Sequence, residues 1–127
     1  MNSNRKGKDG EREIAQYLRA HGLPARRGVQ YQGSPDSPDV IGLEGYHIEV
    51  KRVENLNLEN AMAQSIRDAG VGEIPVVFHR RNRTPWKCTL LLDDFMKIIE
   101  KEVHLEQNEQ IQRDHVRRVI AEMEERR

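Results

Sequence analysis

Two short motifs can bring acidic and basic side chains together at one point of this chain. Pro38-Asp39 precedes Glu49-Val50-Lys51 at hairpin distance. Side chains alternate along a strand, so Glu49 and Lys51 share one face, roughly 6–7 Å apart. Two carboxylates suit a hard cation such as Mg²⁺, and a lysine can orient water or neutralise charge on a phosphate. A Glu-x-Lys triplet by itself is more often a solvated pair, and only the Pro-Asp motif favours chemistry.

A third carboxylate is expected on the first helix. Glu11, Ile14 and Leu18 follow the i, i+3, i+7 spacing of one helix face. Glu11 should therefore face the sheet, where a metal site would compensate its charge, whereas Glu13 should sit to one side with Tyr17. In isolation, Glu11 is better explained as an acid stabilised by the helix macrodipole.

Hydrophobic periodicity and turn residues predict the elements that position these side chains. The order predicts an α/β fold with a single mixed β-sheet flanked by helices. The predicted helices are 9–21, 57–69 and one starting at Asp93-Asp94, and the predicted strands are 25–32, 40–41, 46–53, 74–79 and 86–92.

The C-terminal part differs in character from the rest. We divide the chain into a domain over residues 1–100 and a charged helical extension over 101–127. The extension reads as a solvated helix or as a helix whose narrow apolar stripe packs on a partner chain or on the domain. The stripe consists of Val116, Val119, Ile120 and Met123.

Composition excludes several classes of protein. The chain has 127 residues, one cysteine and a net charge of zero, so neither a disulfide framework nor a multi-cysteine zinc site is available. The mean hydropathy of -0.83 and the polar N-terminus argue against a membrane span and a secretory signal, and we expect a cytoplasmic protein. The five histidines show no metal-ligand spacing. His47 could line the site beside Glu49, but we interpret it as a surface histidine, and Cys88 as a buried packing residue.

Charge is unevenly distributed along the chain. Residues 1–30 contain seven Lys or Arg and three Asp or Glu, whereas residues 31–60 contain two and six. A carboxylate cluster beside a basic surface suits a metal site that faces a phosphate backbone, although charge alone is equally explained by ordinary surface variation.

The motifs resemble those of the PD-(D/E)xK nuclease superfamily. The helix acid Glu11, Pro38-Asp39 and Glu49-x-Lys51 occur in the order typical of that superfamily. Further segments resemble archaeal-type Holliday junction resolvases over roughly residues 5–95, and they are 5–13, Gly33-Ser34, 38–41, 48–51 and 74–77. The proline-rich turn at 33–38 and the tail beyond about Lys101 depart from the archaeal pattern.

The resemblance implies a restriction-endonuclease-like core and a set of site residues. Asp39 and Glu49 would be metal ligands assisted by Glu11, with Mg²⁺ as the cofactor and Mn²⁺ as a substitute. Lys51 would be the catalytic lysine. Ser34 would lie near the active site, and Gln64 is either a polar helper or a solvent-facing amide.

The resemblance also implies a reaction and a substrate. A homodimer would hydrolyse phosphodiesters in both strands of a four-way DNA junction and leave 5′-phosphates. Basic residues would hold the DNA backbone without reading bases, namely Arg5, Lys6, Lys8, Arg26, Arg27, Arg80, Arg81 and Arg83. Two alternatives remain open: a nuclease of the same superfamily acting on flap, nicked or linear DNA, and a non-catalytic DNA-binding module. The compact chain suggests a small replicon such as a phage.

Overall fold

The structure is a computed structural model that describes residues 3–28 and 38–126, apart from the side chains of residues 3 and 4. Two compact units are present, residues 1–91 and residues 92–127. The elements are α1 (Ser3–Ala20), β1 (Arg26–Arg27), β2 (Val40–Ile41), β3 (Tyr46–Arg52), α2 (Leu58–Asp68), β4 (Ile74–Arg80), β5 (Lys87–Thr89) and α3 (Leu92–Glu125).

The described strands form one mixed sheet in the order β1-β2-β3-β4-β5. Strands β3 and β4 are parallel, with Glu49 opposite Val77, and the other neighbours are antiparallel. A parallel pair needs a long crossover connection, which α2 provides. The predicted α/β fold with a single mixed sheet is confirmed.

Helix α1 covers one face of the sheet. Its buried Ile14 and Leu18 pack in one cluster with Val40, Ile48 and Val50 of β2 and β3. The helix ends before Gly22, whose φ of 84° is the left-handed conformation that terminates helices. This termination agrees with the sequence analysis.

The start of α1 was predicted wrongly. The helix begins at Ser3, not at residue 9. Its polar first turns carry no apolar periodicity from which a helix could be predicted. They are held by tertiary contact, since the ammonium of Lys6 lies 3.1 Å from the carboxylate of Glu54.

A glycine sets the distance between α1 and β3. A Cβ atom on Gly10 would lie 3.1 Å from the Cβ of Arg52 and 3.5 Å from a methyl group of Val50. The missing side chain therefore permits the close approach that brings the start of α1 against the sheet.

Helix α2 covers the opposite face. The Asn57 side chain accepts a hydrogen bond from the amide of Asn60 and caps the helix at 3.0 Å. Buried Ala61 and Met62 pack on Val77 of β4. Because Glu49 pairs with Val77, the β3 face that carries Glu49 is the face covered by α2.

The ends of β1 and β2 form a narrow neck. The Gly28 amide donates to the Asp39 carbonyl at 2.9 Å, directly beyond the Arg27–Val40 pair. A Cβ atom on Gly28 would overlap the carbonyl oxygen of Pro38, so only glycine fits there. Of the strand predicted at 25–32, the described part is paired at Arg26–Arg27, and the remainder lies outside the described residues.

The C-terminal strand and helix differ from their predicted bounds. Strand β5 has three residues instead of the seven predicted, and Cys88 in it is exposed. The buried position expected for Cys88 is wrong because β5 lies at the edge of the sheet. Helix α3 is continuous over 34 residues, so residues 92–100 belong to the same helix as the charged extension, and none of its described residues is buried.

No helix within the described ranges combines the length and the apolar character required to cross a bilayer.

Candidate active site

The β2–β3 hairpin positions Asp39 against Glu49. The Asp39 amide donates to the Ile48 carbonyl at 2.9 Å, and the Val50 amide donates to Oδ2 of Asp39 at 2.8 Å. These bonds fix both the backbone and the side chain of Asp39 against β3, the strand that carries Glu49. The juxtaposition expected from the two motifs is present.

Nearby positive charge does not offset the cost of removing the carboxylates of Asp39 and Glu49 from water. Burial, followed by the negative charge of Glu49, raises the pKa of Asp39 to about 7, against the hydrogen bond from Val50. Burial also raises the pKa of Glu49, with hydrogen bonding to Asp39 and the charge of Lys51 opposing it. An opposing positive charge is therefore what the pair needs when both groups are ionised.

Glu11 of α1 faces β1, and it is not in the group of described residues whose ligand atoms lie within 4.8 Å of one another, which are His47, Glu49 and Asp68. Oε2 of Glu11 accepts a hydrogen bond from Nε of Arg27 at 2.9 Å. Burial raises the pKa of Glu11 against that hydrogen bond, and the negative charges of Glu11 and Asp39 repel each other. The predicted orientation of Glu11 towards the sheet agrees with the structure.

Lys51 supplies the positive charge of the site. It lies two residues after Glu49 on β3, on the same face of the strand, and its charge lowers the pKa of both Asp39 and Glu49. The Lys51 ammonium donates to Oε1 of Gln64 at 3.3 Å. Gln64 on α2 thus restrains the lysine, which favours the polar-helper interpretation over a solvent-facing amide.

His47 was interpreted wrongly from the sequence. It is 1% exposed, and its Nε2 lies 2.8 Å from Oε1 of Glu49, which is 3% exposed. A surface position was expected, but α2 covers this face of β3. The i, i+2 spacing to Glu49 was the available signal. His47, Glu49 and Asp68 offer ligand atoms within 4.8 Å of one another.

Several cations predicted to hold DNA are engaged within the protein. Arg27 is paired with Glu11, Lys6 with Glu54, and Arg80 with Glu13. Arg80 also lies 5.4 Å from the ring centroid of Trp86. These contacts give all three cations a structural role.

The other predicted DNA-binding residues have different surroundings. Ser34 lies outside the described residues. The exposed members of the set are Arg5, Lys8, Arg26, Arg81 and Arg83. Arg83 has a φ of 61° in the turn after β4, where the amide of Arg81 donates to the hydroxyl of Thr84 at 3.1 Å.

Glu13 links several strands through its carboxylate, which the sequence did not predict. Its Oε1 accepts from Arg80 at 3.0 Å and pairs with Arg52 at 3.1 Å, while Oε2 accepts from the Trp86 indole at 3.0 Å. The residue joins α1 to β3, β4 and the approach to β5. It does not stand aside with Tyr17, as its helical position suggested, because the partners come from distant parts of the chain.

Comparison with known proteins identifies the family. The model of the archaeal Holliday junction resolvase family, Hjc, matches residues 2–70, more than half of the chain and the segment that carries Glu11, Asp39, Glu49 and Lys51. The chain belongs to this resolvase family. The resemblance to PD-(D/E)xK resolvases is thereby confirmed.

A solved structure agrees with this assignment. Archaeoglobus fulgidus Hjc, described as a Holliday junction resolvase from an archaeal hyperthermophile, is 26% identical, with a TM-score of 0.50, over 66% of this chain and 76% of that chain. No curated protein matches the chain.

Proposed function

We propose that this member of the Hjc family is a Mg²⁺-dependent endonuclease that resolves four-way DNA junctions by paired nicks. The observation that carries the proposal is the convergence of Asp39, Glu49 and Lys51 on the β2–β3 hairpin, with Glu11 beside them. Clustered carboxylates are unfavourable next to DNA phosphates unless a cation lies between them, so a binding module has little use for this arrangement.

The donor set fits a divalent metal ion. Asp39, Glu49 and Glu11 supply carboxylate oxygens, which Mg²⁺ and Mn²⁺ prefer. A bound divalent ion would lower the pKa of a ligand water and stabilise negative charge on the phosphate.

The protein side chains then have distinct roles. Lys51 orients the attacking water or neutralises charge that develops on the phosphate. Gln64 keeps the Lys51 ammonium in place through its 3.3 Å hydrogen bond. Arg27 holds the Glu11 carboxylate at 2.9 Å.

DNA is held through its phosphates in this proposal. The exposed basic residues Lys8, Arg26, Arg81 and Arg83 can contact the backbone, and such contacts set position without reading bases. Ser34 and Arg5 complete the proposed substrate-binding set. We therefore expect selection of DNA by shape.

The proposal includes a two-fold homodimer. Two opposed strands must be nicked in one junction, and each chain offers one cluster of Asp39, Glu49 and Lys51. A C₂ dimer places two equal sites symmetrically, as a four-way junction requires. A cytoplasmic location and a phage origin belong to the proposal as well.

A cleavage assay with two substrates tests the proposal. A four-way junction and a linear duplex of the same sequence are incubated with and without Mg²⁺, using the wild type, Asp39→Ala, Glu49→Ala and, as the matched control on the same hairpin, Glu44→Gln. We expect symmetric nicks in the junction only. They should require metal, fall by roughly 10³-fold or more in both alanine variants and be unchanged in the control.

Two results would contradict the proposal. Equal cutting of the linear duplex would assign the chain to nucleases acting on other DNA. Tight junction binding without any cleavage in Mg²⁺ or Mn²⁺ would make it a non-catalytic binding module.

A further inference from the structure

One contact of the site involves a residue outside the proposed ligand set of Asp39, Glu49 and Glu11. The imidazole of His47 meets the carboxylate of Glu49 at 2.8 Å, and both side chains are almost completely buried. While Glu49 is ionised it carries no proton, so Nε2 of His47 must be the donor. The contact is then a hydrogen bond from Nε2 of His47 to Oε1 of Glu49.

The backbone of His47 is fixed too. The Ser65 hydroxyl of α2 lies 3.3 Å from the carbonyl oxygens of His47 and Val76, and Ser65 is fully buried. The contact joins α2 to β3 and β4 at the residue that carries the imidazole. A rigid ring on a pinned backbone is a well-defined donor for the Glu49 carboxylate.

Asp68 makes this donor important. It lies at the end of α2, and its ligand oxygen falls within 4.8 Å of the nearest ligand atoms of His47 and Glu49. Its negative charge acts unfavourably on the ionised Glu49. The N–H of His47 gives one oxygen of Glu49 a partner on this side and restricts the rotation of the carboxylate.

We propose that His47 is a positioning residue that holds Oε1 of Glu49 and so leaves the remaining oxygen oriented for the divalent cation. The inference rests on the proposed function, because it assumes that Glu49 is a ligand. Hydrogen bonds to ligating groups from outside the coordination shell commonly change metal affinity by about 10–100-fold. His47 itself does not contact the metal in this proposal.

Two amide variants of His47 test whether a hydrogen-bond donor at the position of Nε2 is required. The amide nitrogen of glutamine extends about as far as Nε2 of histidine, whereas that of asparagine is one carbon shorter. Mn²⁺ binding is measured by isothermal titration calorimetry for the wild type, His47→Gln and His47→Asn, together with the metal concentration that gives half-maximal junction cleavage. We expect His47→Asn to bind Mn²⁺ about 10-fold more weakly or worse, and His47→Gln to stay within about 3-fold of the wild type.

Folding is monitored separately in the same variants. Thermal unfolding and junction affinity in EDTA show that each variant is folded at the temperature of the titration, and His47→Asn is expected to melt lower because it loses the hydrogen bond to Glu49. Their difference in metal affinity then reports the hydrogen bond to Glu49 and not general damage to the fold.

Several outcomes would overturn the inference. They are equal Mn²⁺ affinity in His47→Asn and the wild type, an equal loss in both amide variants, and a directly coordinated nitrogen in the electron spin echo spectrum of bound Mn²⁺. Glu49→Gln in the same titration distinguishes an error in the proposed metal site from an error in the proposed role of His47. If it leaves Mn²⁺ binding unchanged, the proposed metal site itself is wrong. If it abolishes binding while His47→Asn does not weaken it, only the role of His47 is wrong.

Discussion

At the scale of single residues, the site depends on how Asp39 is held. Its Oδ2 accepts from the Val50 amide at 2.8 Å, so the strand fixes the carboxyl group beside Glu49 whether or not it is charged. Burial and the neighbouring charge make the ionised form costly and raise its pKa to about 7. The ionised carboxylate of Asp39 is therefore unfavourable in the folded protein, and a bound cation would stabilise it.

This arrangement predicts the pH dependence of stability without metal. The folded protein keeps a proton on Asp39 that the unfolded chain releases above a pKa of 3.8. The stabilising contribution is therefore complete below pH 3.8 and is lost as the pH rises through about 7. In EDTA, we expect Asp39→Asn, which keeps an acceptor for Val50, to melt roughly 5 °C or more above the wild type at pH 8 and to differ little at low pH.

Thermal unfolding followed by circular dichroism at pH 5, 6, 7 and 8 provides the measurement. Other groups also titrate: burial raises the pKa of Glu11 and Glu49, and burial lowers the pKa of His79. The difference between wild type and Asp39→Asn removes the contribution of His79 and reports Asp39 together with its effect on the titration of Glu11 and Glu49. A difference that does not change with pH would refute the assignment.

At the scale of elements, the contact of α1 with β3 decides whether Glu11 reaches the site. Gly10 lies one residue before Glu11 and is buried, and a Cβ there would approach Arg52 to 3.1 Å. The helix is also joined to the sheet by Glu13, which binds Arg52 and Arg80. Position and orientation of Glu11 thus depend on packing at its neighbours.

Gly10→Val should loosen this contact. We expect it to lower the free energy of unfolding by about 1–3 kcal/mol, because added methyl groups must displace the strand or the helix. Gly7→Val is the matched control on the same helix, since a Cβ at Gly7 meets nothing within 4 Å. Urea denaturation gives both values. If the two substitutions have the same effect, the close approach at Gly10 is not limiting.

The part of the fold and site that was predictable is the part governed by local rules. Strand alternation and a short connection place Asp39, Glu49 and Lys51 together, and Gly22 ends α1 as its residue type requires. Burial of His47 could not be predicted, because it depends on α2 covering that face of β3.

The same reason accounts for the other errors. The partners of Glu13 come from β3, β4 and the segment before β5, which no periodicity connects to α1. The first turns of α1 are polar and receive their support from Glu54, far along the chain. Tertiary contacts decide these features, and they are absent from local sequence patterns.

At the scale of the whole molecule, the net charge is zero, but the basic residues fall into two groups with different surroundings. Some neutralise internal carboxylates, as Arg27 does for Glu11 and Arg80 for Glu13. Others, such as Arg81 and Arg83, are exposed on the turn after β4. Only the exposed group is suited to replace counterions on DNA.

Salt dependence of junction binding should distinguish the two groups. We expect Arg81→Ala/Arg83→Ala to reduce the slope of log affinity against log salt by about 2, with a similar loss for every junction sequence. Lys97→Ala/Arg113→Ala, which removes two cations paired within α3, is the control and should leave the slope unchanged. Fluorescence anisotropy from 50 to 300 mM salt measures the slopes, and equal slopes in the two double variants would disprove the assignment.

The neck between Gly28 and Asp39 has a practical consequence for redesign. The amide of Gly28 and the carbonyl of Asp39 close this neck at 2.9 Å, and the adjoining Arg27–Val40 pair holds both strands. Any redesign should keep glycine at position 28, because a side chain there would displace the backbone of Pro38 next to Asp39.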